Sequence, residues 1–328
     1  MRHPSADSFR DAEFRRGFYR DMVRTRVLEE QLIGLWKKGQ GFFWTGGPGE
    51  EAAQVALARL LRVGQGVDFD YFHPHYRNLG VMVALGAPMV NAVRQMKNLS
   101  TDPYSGGRNF GSHSAVPAWN IIPVSSPVAT QCLLGTGTAF AQARRRRQTG
   151  VESLSVVVIG EASSASPDFA SSLIWSSRPG QNIPLLTVIT NNGVGISTRS
   201  SAQLAAIHER ARAFGIEAKK ADGLHAKKAW IALCTAFDHV RRTGRPYVLE
   251  LEVSRVYGHS SSSGANRAED EICPLELFEK ELLRGDLSAS DLKRIREEAV
   301  EEFQAALQLC EGETYPSGDT VLRHAFSE

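Results

Sequence analysis

Residues Val156 to Gly193, VVVIGEASSASPDFASSLIWSSRPGQNIPLLTVITNNG, contain the clearest indication of how this chain folds. It begins with a short apolar run at 156–159, continues through a helical segment at 169–175, and reaches a second apolar run at 185–189. Two continuous apolar runs that are separated by a helix are typical of buried parallel strands. The stretch therefore predicts a βαβ unit.

The βαβ pattern continues toward the C-terminus. We predict a strand at 215–221, a helix at 227–242 and a strand at 247–253. Alternating strands and helices of this kind form a sheet that helices cover on both faces. The predicted fold class is therefore α/β, with a doubly wound, mostly parallel sheet and flanking helices.

Helical segments flank this core on both sides. Helices are predicted at 9–38 and 50–61, with a glycine-bearing loop at 39–49, and a charged helical region runs from Pro274 to about Gly312. Two further segments are predicted as loops: 68–77, where Pro74 is incompatible with a central strand, and 85–125. We expect one domain made of three parts, which are N-terminal helices at 1–65, an α/β core at 66–273 and a C-terminal helical arm at 274–328.

The composition narrows the class of protein. Lys and Arg number 38 and Asp and Glu 36, and a formal net charge of +2 gives no general attraction to nucleic acid or to a membrane. The cysteines lie far apart, without the Cys-x-x-Cys spacing of a zinc or redox site and without the density of a disulfide scaffold. The first twenty residues lack the apolar segment of a secretion signal, and no run of about 18 apolar residues occurs. These features predict a cytoplasmic enzyme.

Oxygen-bearing side chains follow both strands of the first βαβ unit. Glu161 comes directly after the first strand, and Asn192 lies 31 positions later, after the second. If the two strands are neighbours, the two side chains can converge, and a carboxylate with an amide or backbone oxygen suits Mg²⁺ bound to a diphosphate. Taken alone, Gly-Glu is an ordinary strand-to-helix turn and Asn-Asn-Gly an ordinary turn signal. The pair at this spacing is what indicates a metal and diphosphate site.

Residues 160–198 resemble the thiamine diphosphate fingerprint, in which Gly-Asp/Glu-Gly precedes Asn-Asn by some thirty residues. More narrowly, the chain is similar to the alpha subunit of the first component of 2-oxo acid dehydrogenase complexes, of the pyruvate and branched-chain type. Five further blocks in the family's order carry the resemblance: GFFWTGGPGEEAAQVAL (41–57), FHPHYRNLG (72–80), SSPVATQ (125–131), VSRVYGHSSSS (253–263) and TYPSGDTVLRHAFSE (314–328). The resemblance implies the thiamine diphosphate-binding fold.

The resemblance also implies roles for particular residues. The side chains of Glu161 and Asn192 and the carbonyl of Val194 would bind Mg²⁺. The diphosphate would be held by Tyr76 and Arg77, whose planar guanidinium suits phosphate. The remaining cofactor contacts would come from Gly160, Ala162, Ser163, Ser126 and Val128, and a structural potassium ion found in some members would be bound by Ser125, Pro127, Thr130 and Gln131, a segment that otherwise has the pattern of a helix N-terminus.

The residue singled out most sharply is His259. It follows a strand and enters a run of four serines and a glycine that cannot pack a core, so this loop is expected to be mobile until a ligand orders it. The family's histidine at this position contacts the cofactor diphosphate and helps to pass the acyl group to a lipoyl arm, which implies a catalytic role. Arg108 and His113 match a family loop near the substrate channel.

The resemblance implies the oxidative decarboxylation of pyruvate or a branched-chain 2-oxo acid, with acyl transfer to lipoamide. The carboxylate that activates the cofactor belongs to a separate beta subunit in this family, so we expect an α2β2 heterotetramer and a lipoyl acyltransferase core as partners. This chain departs from the family at 162–167, where the usual glycine and Glu-Gly are missing. Two alternatives therefore stay open: a carboligase subunit of the acyloin type, and a catalytically impaired paralogue.

Overall fold

A five-stranded parallel sheet forms the centre of the computed structural model, which describes residues 4–202, 206–320 and 323. Its strands lie in the order β1-β2-β3-β7-β6. The strands are β1 (Tyr71–His73), β2 (Ser155–Gly160), β3 (Leu185–Asn191), β6 (Glu217–Asp222) and β7 (Tyr247–Glu252), and a separate antiparallel hairpin consists of β4 (Val194–Gly195) and β5 (Thr198–Arg199).

Helices precede, connect and follow the strands. Their bounds are α1 (Ala12–Lys37), α2 (Glu51–Leu60), α3 (Leu79–Ala84), α4 (Met89–Met96), α5 (Thr130–Thr149), α6 (Pro167–Ser176), α7 (Ile207–Ala213), α8 (Ala226–Thr243), α9 (Pro274–Leu282) and α10 (Ala289–Leu309). Among the described residues, no helix has both the length and the apolar character needed to cross a membrane.

Successive residues of β2 point to opposite faces of the sheet, and both faces are buried. Val156 and Val158 join the core formed with α1, α2 and α8. Val157 and Ile159 join the core formed with α5, α6 and α7. Burial of each such side chain contributes roughly 1.5–3 kcal/mol. The continuous apolar run of this strand therefore arises because helices cover both faces, and the prediction of a doubly wound parallel sheet is confirmed.

The N-terminal and C-terminal helices share one core with the sheet. The larger buried cluster includes Phe9 and Phe18 near the N-terminus and Phe303 and Cys310 in and after α10. The predicted helical arm consists of α9 and α10 and ends well before the C-terminus. Residues 1–3, 321, 322 and 324–328, to which the predicted terminal segments extend, lie outside the described residues.

Two segments that were predicted as loops contain regular structure. Residues 71–73 form the edge strand β1, which ends directly before Pro74 because proline cannot donate to a sheet ladder. The predicted loop 85–125 includes α4, whose buried residues Met89, Ala92, Val93 and Met96 recur at helical spacing. Its two turns are too short to stand out from the glycine-rich and serine-rich sequence around them. The loop predictions were wrong at these positions.

The other differences concern helix bounds. The first predicted helix begins at Ala12 rather than at Phe9, because Asp11 is its N-cap and accepts hydrogen bonds from the backbone nitrogens of Glu13 and Phe14. A short 3₁₀ turn at Ala6–Arg10 precedes it. Helix α7 was not predicted from the sequence, and it packs two buried residues on the sheet.

Candidate functional site

A cleft of about 390 Å³ opens where β2 and β3 end. The two strands are direct neighbours, and Gly160 pairs in register with Thr190. Glu161 and Asn192 therefore leave the sheet at the same edge, and both line the cleft. The condition on which the metal and diphosphate hypothesis rested, that these strands be adjacent, is met.

Glu161 and Asn192 are held by local hydrogen bonds. The Oε1 of Glu161, a buried side chain, accepts a hydrogen bond of 2.9 Å from the hydroxyl of Ser200. The Oδ1 of Asn192 accepts one of 3.1 Å from the backbone nitrogen of Val194, in a turn that Gly193 closes with a φ of +78°. A carboxylate and an amide oxygen keep further lone pairs after one such bond, so both groups can still ligate a cation.

Most of the residues singled out from the sequence surround this cleft. The structure brings twelve of them together there: Tyr76, Arg77, His113, Ser126, Val128, Gly160, Glu161, Ala162, Ser163, Asn192, Val194 and His259. Arg108 does not line the cleft, because its guanidinium donates to the hydroxyl and carbonyl of Thr320. No metal cluster of three or more His, Cys, Asp or Glu occurs within the described part of the chain. A cation here would depend on one carboxylate, an amide and a carbonyl.

Arg77 and His259, which both line the cleft, are in direct contact. The Nη2 of Arg77 lies 2.7 Å from the Nδ1 of His259, and its Nη1 donates to the carbonyl of Gly46 at 2.5 Å. A guanidinium can only donate, so Nδ1 must accept and the imidazole proton is on Nε2. Burial and the nearby cations Arg77 and Arg255 lower the pKa of His259 to about 4. His259 is therefore a neutral donor at neutral pH.

The predicted potassium residues lie beside the cleft at the start of α5. The hydroxyl of Ser125 donates to the carbonyl of Pro127, and Gln131 donates from Nε2 to the carbonyl of Val158. The Oε1 of Gln131 is buried and has no hydrogen-bond partner among the described residues. Thr130 is the first residue of the helix. This segment thus has several oxygen atoms that could bind a cation, and one of them, the Oε1 of Gln131, accepts no hydrogen bond from the described residues.

The segment 162–167, which departs from the family pattern, is well ordered by its own contacts. The hydroxyl of Ser164 donates to the carbonyl of Glu161 at 2.6 Å, and Arg210 donates to both the carbonyl and the hydroxyl of Ser164. Ser166 caps α6 by accepting from the backbone nitrogen of Asp168, and Pro167 occupies the first helical position, where no donor is needed. Serine and proline in this segment are consistent with a stable turn beside Glu161.

Several residues of the cleft were missed from the sequence. His75 is buried against the ring of Tyr76, its Nδ1 has no partner among the described residues, and burial holds its pKa well below the ordinary value. Thr190 also lines the cleft with an unpartnered hydroxyl. Phe43 and Phe110 form an aromatic wall with ring centroids 5.6 Å apart. Only His75 carried a sequence signal, because it stands beside Tyr76 and Arg77.

Loop 44–49 connects Arg77 of the cleft to the buried Glu29 of α1. The buried carboxylate of Glu29 in α1 accepts hydrogen bonds from the indole of Trp44 at 2.7 Å and from the backbone of Gly47 at 3.1 Å. A side chain at Gly46 would collide with that carboxylate, since a Cβ there would lie 2.2 Å from its Oε2. Because this loop has glycines beside Glu29, the carboxylate can hold the loop backbone in place, including the carbonyl of Gly46 that accepts a hydrogen bond from Arg77.

Glu29 should give the free energy of unfolding a dependence on pH. Burial raises its pKa from 4.5 to about 7, although the bonds from Trp44 and Gly47 lower it. Its stabilisation is therefore fully present below pH 4.5 and is lost as the pH rises through about 7. We expect Glu29→Gln to remove roughly 3 kcal/mol of this dependence, since a tenfold change in proton affinity is about 1.4 kcal/mol. Urea unfolding of both proteins at about pH 5 and about pH 8 measures this dependence. An equal change in the free energy of unfolding between the two pH values in both proteins would contradict the prediction.

The chain resembles known proteins over nearly all its length. It is 26% identical to the 2-oxoisovalerate dehydrogenase subunit alpha of Bacillus subtilis (strain 168) over 94% of each chain. It is 27% identical to the pyruvate dehydrogenase E1 component subunit alpha of Zymomonas mobilis, covering 93% of this chain and 86% of that one. Against the mitochondrial 2-oxoisovalerate dehydrogenase subunit alpha 2 of Arabidopsis thaliana, 28% identity covers 88% of this chain and 62% of the relative.

A solved structure and a family model complete the comparison. Transketolase from Leishmania mexicana superposes with a TM-score of 0.56 at 14% identity, over 90% of this chain and 45% of that one, which supports the fold alone. The sequence model of the family described as "Dehydrogenase E1 component" matches residues 19–317. The match over this range agrees with the parallel sheet and with the cleft at the ends of β2 and β3. The chain therefore belongs to the dehydrogenase E1 component family.

Proposed function

We propose that this chain is the alpha subunit of a thiamine diphosphate-dependent 2-oxo acid dehydrogenase that acts on pyruvate or a branched-chain 2-oxo acid. The observation that carries the proposal is the convergence of Glu161 and Asn192 with Arg77 and His259 on one cleft. The names of the bacterial relatives support the class of substrate. The match to the Bacillus relative over 94% of each chain supports the assignment as an alpha subunit.

The donor set of the cleft fits thiamine diphosphate and Mg²⁺. Magnesium requires oxygen ligands, and Glu161, Asn192 and the carbonyl of Val194 supply them beside a guanidinium that can bind phosphate oxygens. The unpartnered polar atoms of His75 and Thr190 favour a polar ligand in the same space, because buried polar groups are normally hydrogen-bonded. We propose Tyr76 and Arg77 as the diphosphate contacts and Ser126 and Val128 as contacts of the aminopyrimidine, together with the glycine and small residues at 160, 162 and 163.

The residues of this chain bind and orient the reacting groups. When bound, thiamine diphosphate supplies a nucleophilic carbon and an electron sink for decarboxylation. Arg77 provides the permanent positive charge of the cleft. His259 presents an Nε2–H, and His113, whose Nε2 lies 3.0 Å from the Ser126 hydroxyl, fixes that hydroxyl at the wall. Phe43 and Phe110 form an apolar aromatic wall of the cleft. His113 is the proposed channel residue, whereas Arg108 lies outside the cleft and contacts Thr320.

A potassium ion at residues 125–131 is a further part of the proposal. The buried Oε1 of Gln131 lacks a donor, and the carbonyl of Pro127 lies close to the hydroxyl of Ser125, so a cation with oxygen ligands would satisfy this group. Thr130 would contribute its hydroxyl. Such an ion would tie the start of α5 to the loop that carries Ser126.

We also propose a beta subunit as an obligate partner, in an α2β2 heterotetramer that serves a lipoyl acyltransferase core. Large apolar side chains are exposed at Val128 beside the cleft, at Leu133 and Leu134 in α5 and at Ile174 in α6. Because α5 and α6 pack against each other, these side chains lie on neighbouring helices, and exposed apolar side chains that cluster in this way are typical of a subunit interface. The free, buried thiols of all four cysteines are consistent with a reducing cytoplasm, which we propose as the location.

Calorimetry on the chain co-expressed with a beta-type partner tests this function. We expect saturable binding of thiamine diphosphate that requires Mg²⁺, and release of CO₂ from a 2-oxo acid with acylation of lipoamide. Transfer of the activated group to another carbonyl in place of lipoamide would favour the carboligase. Absence of cofactor binding by the assembled complex would refute the proposal and favour the impaired paralogue.

His259→Ala should slow acyl transfer more than it weakens cofactor binding. The neutral imidazole lines the cleft and carries its proton on Nε2, so its loss removes a positioned hydrogen-bond donor, which typically costs about 10²–10³ in rate. We expect acylation of a lipoyl domain to fall by that factor, with cofactor affinity changed less than about tenfold. His225→Ala, which removes an imidazole paired with Asp222 away from the cleft, is the matched control. Equal turnover in parent and His259→Ala would contradict the role.

A further inference from the structure

A basic groove lies at the amino ends of the strands, on the side of the sheet opposite to the proposed cofactor cleft. It consists of two cavities of 230 and 350 Å³ that adjoin at Gly180 and Asn182. Pro184 and Pro246, which line it, directly precede β3 and β7, so the groove lies at the amino ends of these strands. The proposed chemistry uses none of its residues.

Arginines from separate segments line the groove. One cavity is lined by Arg178, from the loop after α6, and Arg245, from the loop before β7. The other is lined by Arg146 and Arg147, at the end of the run of four arginines in α5. Glu217 is the acidic side chain that lines the same surface. The groove therefore carries an excess of positive charge.

Three of these four guanidiniums are free to bind a ligand. Arg146 is engaged, since it donates to the carbonyl of Arg242 and lies 3.6 Å from Glu152. Arg147, Arg178 and Arg245 are exposed and have no ion pair or side-chain hydrogen bond to any described residue. The guanidinium carbon of Arg178 lies over the ring of Trp175, 4.7 Å from its centroid. Arg147, Arg178 and Arg245 each lie within two residues of the C-terminal end of a helix, where a cation complements the helix dipole, and the groove brings the ends of α5, α6 and α8 together.

Polar groups between the arginines complete the groove. Asn182 lines both cavities and offers an amide, a group that pairs well with an extended backbone. The Nε2 of His239 is enclosed and has no hydrogen-bond partner among the described residues. The free guanidiniums are distributed over both cavities and do not converge on one point. This arrangement suits an extended chain with several carboxylates better than a single small anion.

We infer that this groove docks an acidic segment of a partner protein, with carboxylates paired to Arg147, Arg178 and Arg245. A planar guanidinium binds a carboxylate through two parallel hydrogen bonds, which gives geometric selectivity. Because these arginines are exposed, the contacts are screened by salt and act mainly on association. The site is independent of the cofactor cleft, so its occupation does not require catalysis.

Fluorescence anisotropy on the intact complex tests this inference, with a labelled dodecapeptide of alternating Glu and Ser as the probe. We expect Arg147→Glu/Arg245→Glu to weaken binding at least about tenfold, or about 1.4 kcal/mol, and cofactor affinity to stay unchanged. Arg20→Glu/Arg284→Glu changes the net charge equally at exposed arginines outside the groove and should leave peptide binding nearly intact.

Three outcomes would overturn the inference. Equal weakening by both double variants would mean that only net charge matters. Competition by inorganic pyrophosphate at the concentration of the peptide would indicate a small-anion site. Tighter binding of a single-stranded oligonucleotide than of the peptide, sensitive to the same groove variant, would assign the groove to nucleic acid.

Discussion

Glu161→Gln is expected to weaken the magnesium-dependent binding of thiamine diphosphate by at least about 100-fold, which is roughly 3 kcal/mol. Two unit charges 4 Å apart interact by about 4 kcal/mol at the effective dielectric of a partly buried site, and a divalent ion at ligand distance interacts more strongly before its desolvation is subtracted. Glutamine keeps the shape of the side chain and its bond to Ser200, so the change removes the charge alone. Calorimetric titration of the α/β complex with Mg²⁺ and cofactor measures the effect.

Glu250→Gln is the matched control for this change. Glu250 is also buried, lies on β7, which pairs with β3, and accepts from Asn191 and His208, but it does not line the cleft. We expect its binding affinity to stay within about threefold of the parent. An unchanged affinity in a folded Glu161→Gln complex would refute the metal site.

Asp70→Ala is expected to lower the free energy of unfolding by roughly 3–5 kcal/mol, because it leaves the buried Arg241 without its counter-ion. The two side chains form a bidentate pair at 2.7 and 3.0 Å. Asp70 also accepts from the backbone nitrogens of Arg62 and Leu154, while Arg241 donates to the carbonyl of Leu60. The pair thus joins the end of α2, the starts of β1 and β2, and α8. Urea unfolding provides the measurement.

Asp68→Ala provides a control two residues away. Asp68 pairs with Arg145 at the surface, where solvent screens the interaction, and we expect little change in stability. Adding Arg241→Met to Asp70→Ala should recover part of the loss, since no buried charge is then unpaired. An Asp70→Ala protein no less stable than Asp68→Ala would show that the pair is not a main stabilising contact.

The candidate site could largely be located from the sequence, because the order of short segments sets its geometry. Glu161 and Asn192 each follow an apolar run, and the carboxyl ends of parallel strands meet at one edge. The contact between Arg77 and His259 could not be predicted, because it joins residues 182 positions apart through the support of Glu29 and loop 44–49. Arg108 matched a family loop but lies outside the cleft, since Thr320 engages its guanidinium.

Local features of the amino-acid sequence predicted the class of fold and the strand ends at which the proposed site lies. Both follow from periodicity and turn residues, which act over a few positions along the chain. Four features became visible only in the folded chain: the strand order, the edge strand before Pro74, the burial that makes His259 neutral, and the basic groove at the amino ends of the strands. These depend on which segments pack against one another, and desolvation and pairing energies arise only from such long-range contacts.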